Sequence, residues 1–351
     1  MINAEWLNTP TADLNISARK AAEERQNNLT KPPGALGELE SIAIRLAAMQ
    51  GKEKPTIDKI HISVFAADHG VASQGVSAFP QAVTTEMVKN FARGGAAISV
   101  LAKSLNATLE VINLGTVNDP GPFSNVLDQR IAKSTADFTK APAMTEEQFY
   151  QALNIGRQAA ERAALNKSDL FIGGEMGIGN TTSATAIASA LLNQPAEEIV
   201  GPGTGVDKDG INRKIQAVNA GLKLHEAILN SPIQVLRCLG GFEITALTGS
   251  YLACANMDKP ILIDGFISSV AALCASKINP SSGDWFLYSH NSAEPGHKHI
   301  LNALNAKPLL SLGMRLGEGS GAAVAATLLQ SACVLHNNMA TFAEAGVSEK
   351  D

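Results

Sequence analysis

Cysteine is scarce. Cys238, Cys254, Cys274 and Cys333 are the only four among 351 residues, and no two form a CxxC pair. That excludes a disulfide framework and a zinc ribbon, and it fits buried thiols in a reducing cytoplasm. Aromatics are only 5% of the chain, set against 30 glycines. Few aromatics and many small residues argue against a β-sandwich and suit helices packed closely on a sheet. No apolar run reaches about 18 residues, so no membrane-spanning helix is expected. No stripe of Lys and Arg appears, and 28 basic against 33 acidic residues leave a net charge of −5. Nucleic acid and membrane are therefore not expected partners. The opening MINAEWLNTPTADLN is polar and does not read as a secretory signal. What the chain does have is core material. It is 45% hydrophobic and 17% charged, which excludes disorder for most of its length. The length predicts roughly two domains.

Short apolar runs recur, each leading into a glycine-bearing loop. They are His61–Ala66, Leu109–Leu114, Asp169–Ile172, Pro260–Ile263 and Trp285–Tyr288. They are nearly continuous in apolar residues rather than alternating, as strands covered on both faces must be. Helical patterns lie between them over Val83–Leu105, Thr145–Ala164, Thr181–Leu192, Asp207–Leu229, Glu243–Ala255, Ile267–Lys277 and His297–Ala306. The alternation predicts an α/β fold: a doubly wound, mostly parallel, Rossmann-like sheet with helices on both faces. Residues 11–50 read as amphipathic helix broken at Lys31-Pro32-Pro33-Gly34, and 320–345 as one long apolar helix capped by Ser320 and ended by Gly346. The two ends are expected to form a small helical subdomain, 1–50 with 320–351, beside a large domain over 51–319.

Ligands in doubly wound folds sit at the carboxyl ends of the strands, and the polar clusters fall there. Gly173-Gly174-Glu175-Met176-Gly177-Ile178-Gly179-Asn180-Thr181-Thr182 follows a strand and opens a helix. Backbone N–H groups there suit an anion, a phosphate first of all. The competing reading is tight strand–helix packing. Gly201-Pro202-Gly203-Thr204-Gly205-Val206-Asp207 is a second such turn, with Lys214 two helical turns on, either a phosphate partner or a solvated surface lysine. Leu316-Gly317-Glu318-Gly319-Ser320-Gly321 sets a lone carboxylate between glycines, either a buried general base or an acid complementing a helix dipole. Asp68-His69, Glu243, Asp264 and Ser289-His290 with Ser292 complete the strand-end set. His297 and His299 invite a metal, but no HExxH or Cys/His spacing supports one, and no GxSxG elbow supports a serine hydrolase.

Together these residues resemble the nicotinate-nucleotide–dimethylbenzimidazole phosphoribosyltransferases of cobalamin assembly. The resemblance runs through KPPGALGELE (31–40), AADHGVASQGVSAFPQAVT (66–84), RGGAAISVLA (93–102), GGEMGIGNTTSATA (173–186), GGFEITALTGSYLA (240–253), ILIDGFISS (261–269), SHNSAEPGH (289–297), LGEGSGAA (316–323) and ATFAEAGVS (340–348). It implies transfer of ribose 5-phosphate from nicotinate mononucleotide to a benzimidazole base, with inversion at C1′ and no metal or redox cofactor. It implies Glu318 as general base and Glu175 as the carboxylate facing the ribose, with Glu243 and Asp264 in reserve. The 5′-phosphate is expected against Gly174, Gly177 and Gly179, with Gly203, Lys214 and Ser292 adding to its seat. Phe79, Met87 and Leu316 are expected to wall the slot for the flat base. Phe79 stands where family members can carry a smaller polar residue, which bears on base preference. A cytoplasmic homodimer with active sites near the subunit interface is also implied. Two competitors are a phosphate-binding regulatory protein that has lost catalysis and a nucleoside phosphorylase-like transferase. Intact Glu318 and Glu175 argue against the first, and the lack of an acidic diphosphate signature argues against a diphosphate-dependent transferase.

Overall fold

The structure is a computed structural model that describes residues 4–348. Six strands form one sheet: β1 (Ile60–Ala67), β2 (Thr108–Gly115), β3 (Val126–Asp128), β4 (Leu170–Met176), β5 (Ile261–Ile263) and β6 (Phe286–Tyr288). Their order is β3-β2-β1-β4-β5-β6, and every pairing is parallel. All eight residues of β1 are buried, the polar His61 and Ser63 included. The chain winds outward from β1 to β3, then returns to lay β4 against the other side of β1. That reversal opens a crevice at the carboxyl ends of β1 and β4. Ile60 to Ala66 pair in register with Leu170 to Met176, so the Asp68-His69 and 177–180 segments leave the sheet side by side.

The sheet has one strand more than the sequence pattern predicts. β3 is a three-residue, partly exposed edge strand, too short for its pattern to register. The helices are α1 (Ile16–Asn28), α2 (Glu38–Gln50), α3 (Ala82–Arg93), α4 (Ala97–Ser104), α5 (Glu146–Leu165), α6 (Asn180–Leu192), α7 (Ala196–Ile199), α8 (Lys208–His225), α9 (Pro232–Leu239), α10 (Phe242–Asn256), α11 (Phe266–Ile278), α12 (His297–Ala303), α13 (Ser320–Asn338) and α14 (Phe342–Ala345). The single helix expected over 83–105 is two. Gly94, at φ +81, ends α3, and the chain turns a corner before α4. α9 has no counterpart among the expected helices, although Ser231 caps it and Pro232 opens it.

α10 is buried from Phe242 to Ala255. Gly156 of α5 and Gly249 of α10 let the two helix backbones touch: a Cβ at either would strike the other helix's carbonyl. Alanine at Gly156 would cost about 1–3 kcal/mol in overpacking.

The chain's two ends meet. α1 packs on α2, α2 packs on α13, and Leu29 bridges Thr341. Arg25 Nε donates to the His336 carbonyl at 2.7 Å. α13 also packs on α4, β4 and β5, so it shares the sheet's core. Of the helical unit expected from 1–50 and 320–351, residues 1–3 and 349–351 lie outside the described residues. The long terminal helix stops at Asn338, where Met339 turns extended, and Gly346 ends the short α14 instead. At its start Gly319, at φ +85, is the cap. Ser320 is not, because its hydroxyl donates to the Gly317 carbonyl at 2.7 Å. Among the described residues no helix is long and apolar enough to cross a membrane.

Candidate active site

A cavity of about 340 Å³ opens where β4, β5 and β6 end. Four carboxylates line it, Glu175, Asp264, Glu294 and Glu318. Glu318 is the most constrained. Its φ is +64, between Gly317 at +87 and Gly319 at +85. A non-glycine residue in this region costs about 1–2 kcal/mol, and such strain clusters at functional sites. Surrounding contacts hold the loop there. The Glu318 N–H donates to the Glu175 carbonyl at 3.3 Å, and Glu318 Oε2 accepts the Ile98 N–H at 3.2 Å. Ile98 lies in the first turn of α4, where amides have no partner within the helix. Burial pushes the Glu318 carboxyl above its ordinary value, the Ile98 N–H opposes this, and Asp264 adds to it.

Glu175 closes β4. Its Oε2 accepts a hydrogen bond from Asn180 Nδ2, and its Oε1 occupies the space that a side chain on Gly317 would need. Burial first, then Glu243 and Asp264, hold its carboxyl well above the usual range. Asp264 follows β5 and accepts the Ala322 N–H of α13 at 2.8 Å. Burial raises it too, against His290 and the backbone donors.

Another wall carries positive charge. Lys214 is fully buried, and its Nζ donates to the Gly201 carbonyl at 2.7 Å and to Thr181 Oγ1 at 2.9 Å. Burial lowers its amine to about 8, with Glu294 opposing. Arg315 reaches across from the 311–318 segment, its Nη1 donating to the Gly203 carbonyl at 3.1 Å. Asn180 and Thr181 bring the N-terminus of α6, the positive end of its dipole, to the same wall.

Of the residues singled out in the sequence, Glu175, Gly177, Gly203, Asp264, His290, Ser292 and Glu318 line the cavity. Met87 lines it as well, whereas Phe79 and Leu316 stand at its mouth, 53% and 60% exposed. They are rim rather than a buried slot, and Ile178, Phe266 and Ile267 supply apolar lining that the sequence reading missed. Gly174, Gly179, Lys214 and Glu243 lie behind the surface. Gly174 is pressed against the Glu318 carbonyl, so the packing role expected as the competitor applies to it. Gly179, at φ +100, packs on His69 and Ala72. Lys214 lies behind Gly203 and reads out through the turn rather than from a surface. Glu243 Oε1 is 2.5 Å from His69 Nε2, and His69 Nδ1 meets Ser183 Oγ at 2.9 Å. His297 has both ring nitrogens engaged, with the Ser292 N–H and Ser269 Oγ, and burial lowers it to about 3. It is therefore not half of a metal pair with His299. Asn180, Glu294 and Arg315 are lining residues that carried no assignment. The first two stood inside quoted motifs, and Arg315 immediately precedes one.

The chain matches known proteins along its length. A family model described as phosphoribosyltransferase covers residues 11–347. The nicotinate-nucleotide–dimethylbenzimidazole phosphoribosyltransferase of Pseudomonas aeruginosa (strain LESB58) is 54% identical over 349 residues, 99% of each chain. That of Azotobacter vinelandii is 54% identical over 347 residues, 98% of each. The crystal structure of CobT from Thermus thermophilus superposes with a TM-score of 0.91 at 44% identity, covering 95% of this chain and 100% of that one.

Proposed function

The chain belongs to the nicotinate-nucleotide–dimethylbenzimidazole phosphoribosyltransferase family, and from that premise we propose how its cleft divides the work of phosphoribosyl transfer. The reaction serves assembly of the lower ligand of cobalamin. The donor is nicotinate mononucleotide and the acceptor is 5,6-dimethylbenzimidazole. A ring nitrogen of the base attacks C1′ of the ribose from the face opposite nicotinate. The C1′–N bond to the pyridinium breaks, its electron pair stays on the pyridine nitrogen, and neutral-ring nicotinate leaves. The new bond makes the remaining N–H of the base acidic, and Glu318 takes that proton. The product is α-ribazole 5′-phosphate.

Glu175 faces the ribose. Its burial makes its anion unfavourable alone and favourable once positive charge grows at C1′. An interaction that strengthens towards the transition state is the kind that raises turnover. Asp264 and Glu243 are proposed as supports of this pair. Lys214 gives the 5′-phosphate its counter-charge through the 201–205 turn, with Gly177, Ser292 and the α6 N-terminus adding donors. Met87 and the rim residues Phe79 and Leu316 border the base. The observation that carries this reading is that Glu318 and Glu175 converge on one cavity beside a buried lysine.

The test is incubation with nicotinate mononucleotide and 5,6-dimethylbenzimidazole, followed by NMR of the anomeric proton. An α-configured product with equimolar nicotinate is expected. A β product would overturn the inversion, and no product would overturn the assignment of substrates. We also propose a homodimer, supported by the exposed apolar side chains of Phe79 and Leu316 at the cavity mouth, and a cytoplasmic location, which suits four buried free cysteines. Sedimentation equilibrium should give twice the 36.7 kDa of one chain. A single-chain mass would remove the dimer.

A further inference from the structure

Glu294 reaches the cavity from the segment after β6, and its place is unexpected for a carboxylate. It is 6% exposed, and its Oε1 is buried with no hydrogen-bond partner. Its Oε2 fills the space beside Gly201 that a side chain there would take. Lys214 of α8, Arg315 of the 311–318 segment and the Gly203 N–H all act on it. His290 and His297 flank it on its own stretch of chain, and Asp264 and Glu318 share the cavity. Two of the groups that hold Glu294, Lys214 and the 201–205 turn, are thus groups proposed above to hold the 5′-phosphate.

We propose that Glu294 is an internal stand-in for the substrate phosphate: it occupies the counter-charge of Lys214 and the 201–205 turn before nucleotide binds, and it takes one proton from solvent when the phosphate arrives. The inference rests on the phosphate reading of Lys214. Two anions against one turn cannot both keep their charge. The phosphate is the better-held of the two. Lys214, Arg315 and the positive end of the α6 dipole favour its dianion, while burial already raises the Glu294 carboxyl. Nucleotide binding is then coupled to a proton, and Glu294 sets both the affinity for the phosphorylated donor and its pH dependence.

Calorimetry of nicotinate mononucleotide binding in two buffers of different ionisation enthalpy, at neutral pH, reads this directly. Lys214, lowered to about 8, is then about nine-tenths protonated and contributes at most about a tenth of a proton. The phosphate, with a second pKa of about 6, is mostly dianionic. The wild type should take up close to one proton per site. Glu294→Gln should take up none and bind the nucleotide about tenfold more tightly. Glu294→Asp keeps the charge and should keep the uptake, which guards against a folding artefact. Nicotinate riboside, lacking the phosphate, should drive no uptake in any of the three. No uptake by the wild type, or full uptake by Glu294→Gln, would overturn the proposal. So would Glu294→Gln weakening nucleotide and riboside equally, because Glu294 would then be reading the ribose. Lys214→Ala tests the foundation separately. Equal weakening of nucleotide and riboside there would move the phosphate elsewhere, whatever the proton count.

Discussion

Glu318 and Lys214 serve one cleft, yet the chain holds them in opposite ways. Glu318 stands in a left-handed loop between two glycines, fixed by backbone bonds to β4 and α4. Lys214 sits in the body of α8 with ordinary helical geometry, and packing with two hydrogen bonds, to the Gly201 carbonyl and Thr181 Oγ1, brings its ammonium to the 201–205 turn. A group that moves a proton must be placed to a fraction of an ångström, and the chain accepts strain to do so. A group that supplies charge acts over several ångströms, and packing with ordinary hydrogen bonds suffices.

The sharpest way to break this contrast is Glu318→Gln. It should lower kcat by about 10²–10⁴ while leaving the nucleotide's affinity near normal. A kcat within a few fold of wild type would remove Glu318 as the base. Lys214→Ala should do the reverse, raising the KM for nicotinate mononucleotide about 10–100-fold with a smaller change for the riboside. The pH profile should divide the same way. kcat should fall on the acid side as Glu318, raised above the ordinary carboxylate value, takes a proton. KM for the nucleotide should rise with pH already through neutrality, as Glu294 must take a proton, and more steeply above about pH 8 as Lys214 loses one. A single group titrating in both limbs would merge the two walls.

Gly317→Ala tests the strain itself. The new Cβ meets the Glu175 carboxylate in a backbone at φ +87, so about 1–3 kcal/mol of stability should go, read by denaturant midpoint. The smallest effect expected is a gain. Glu175 has a raised folded-state pKa, so the folded protein binds more protons than the unfolded chain above the usual carboxylate value. Stability therefore declines as pH rises from that value through the folded one. Glu175→Gln should lift Tm at about pH 8 and leave it unchanged at about pH 3, where both states are protonated. An unchanged Tm at the higher pH would mean that the buried carboxyl carries no such cost.

Five strands were legible because each is a largely apolar run, buried throughout in β1, β5 and β6, in all but its last residue in β4, and over its last five residues in β2. β3 was not, since Val126 and Leu127 are only half-buried and three residues make no pattern. The corner between α3 and α4 was written in Gly94-Gly95, but a continuous apolar stripe on both sides outweighed it. Glu175, Asp264 and Glu318 could be found because they end strands or stand alone among glycines. Lys214 looked like a surface residue because nothing local says that α8 turns it inward. Glu294 and Arg315 acquire meaning only when segments far apart in sequence close on one turn, which no window of sequence contains. The rim positions of Phe79 and Leu316 depend equally on the third dimension.

The corner at Gly94-Gly95 has a consequence for descent. It sets where α4 begins, and α4 offers the amide that Glu318 accepts. The stretch from Gly95 to Ile98 acts as a ruler. One inserted residue would turn the start of the helix by about 100° and carry that amide away from the carboxylate. Val100 and Lys103 face outward and are free to drift among relatives. Insertions and deletions between 94 and 98 are not, so lineages of this enzyme should diverge there in letters and never in length.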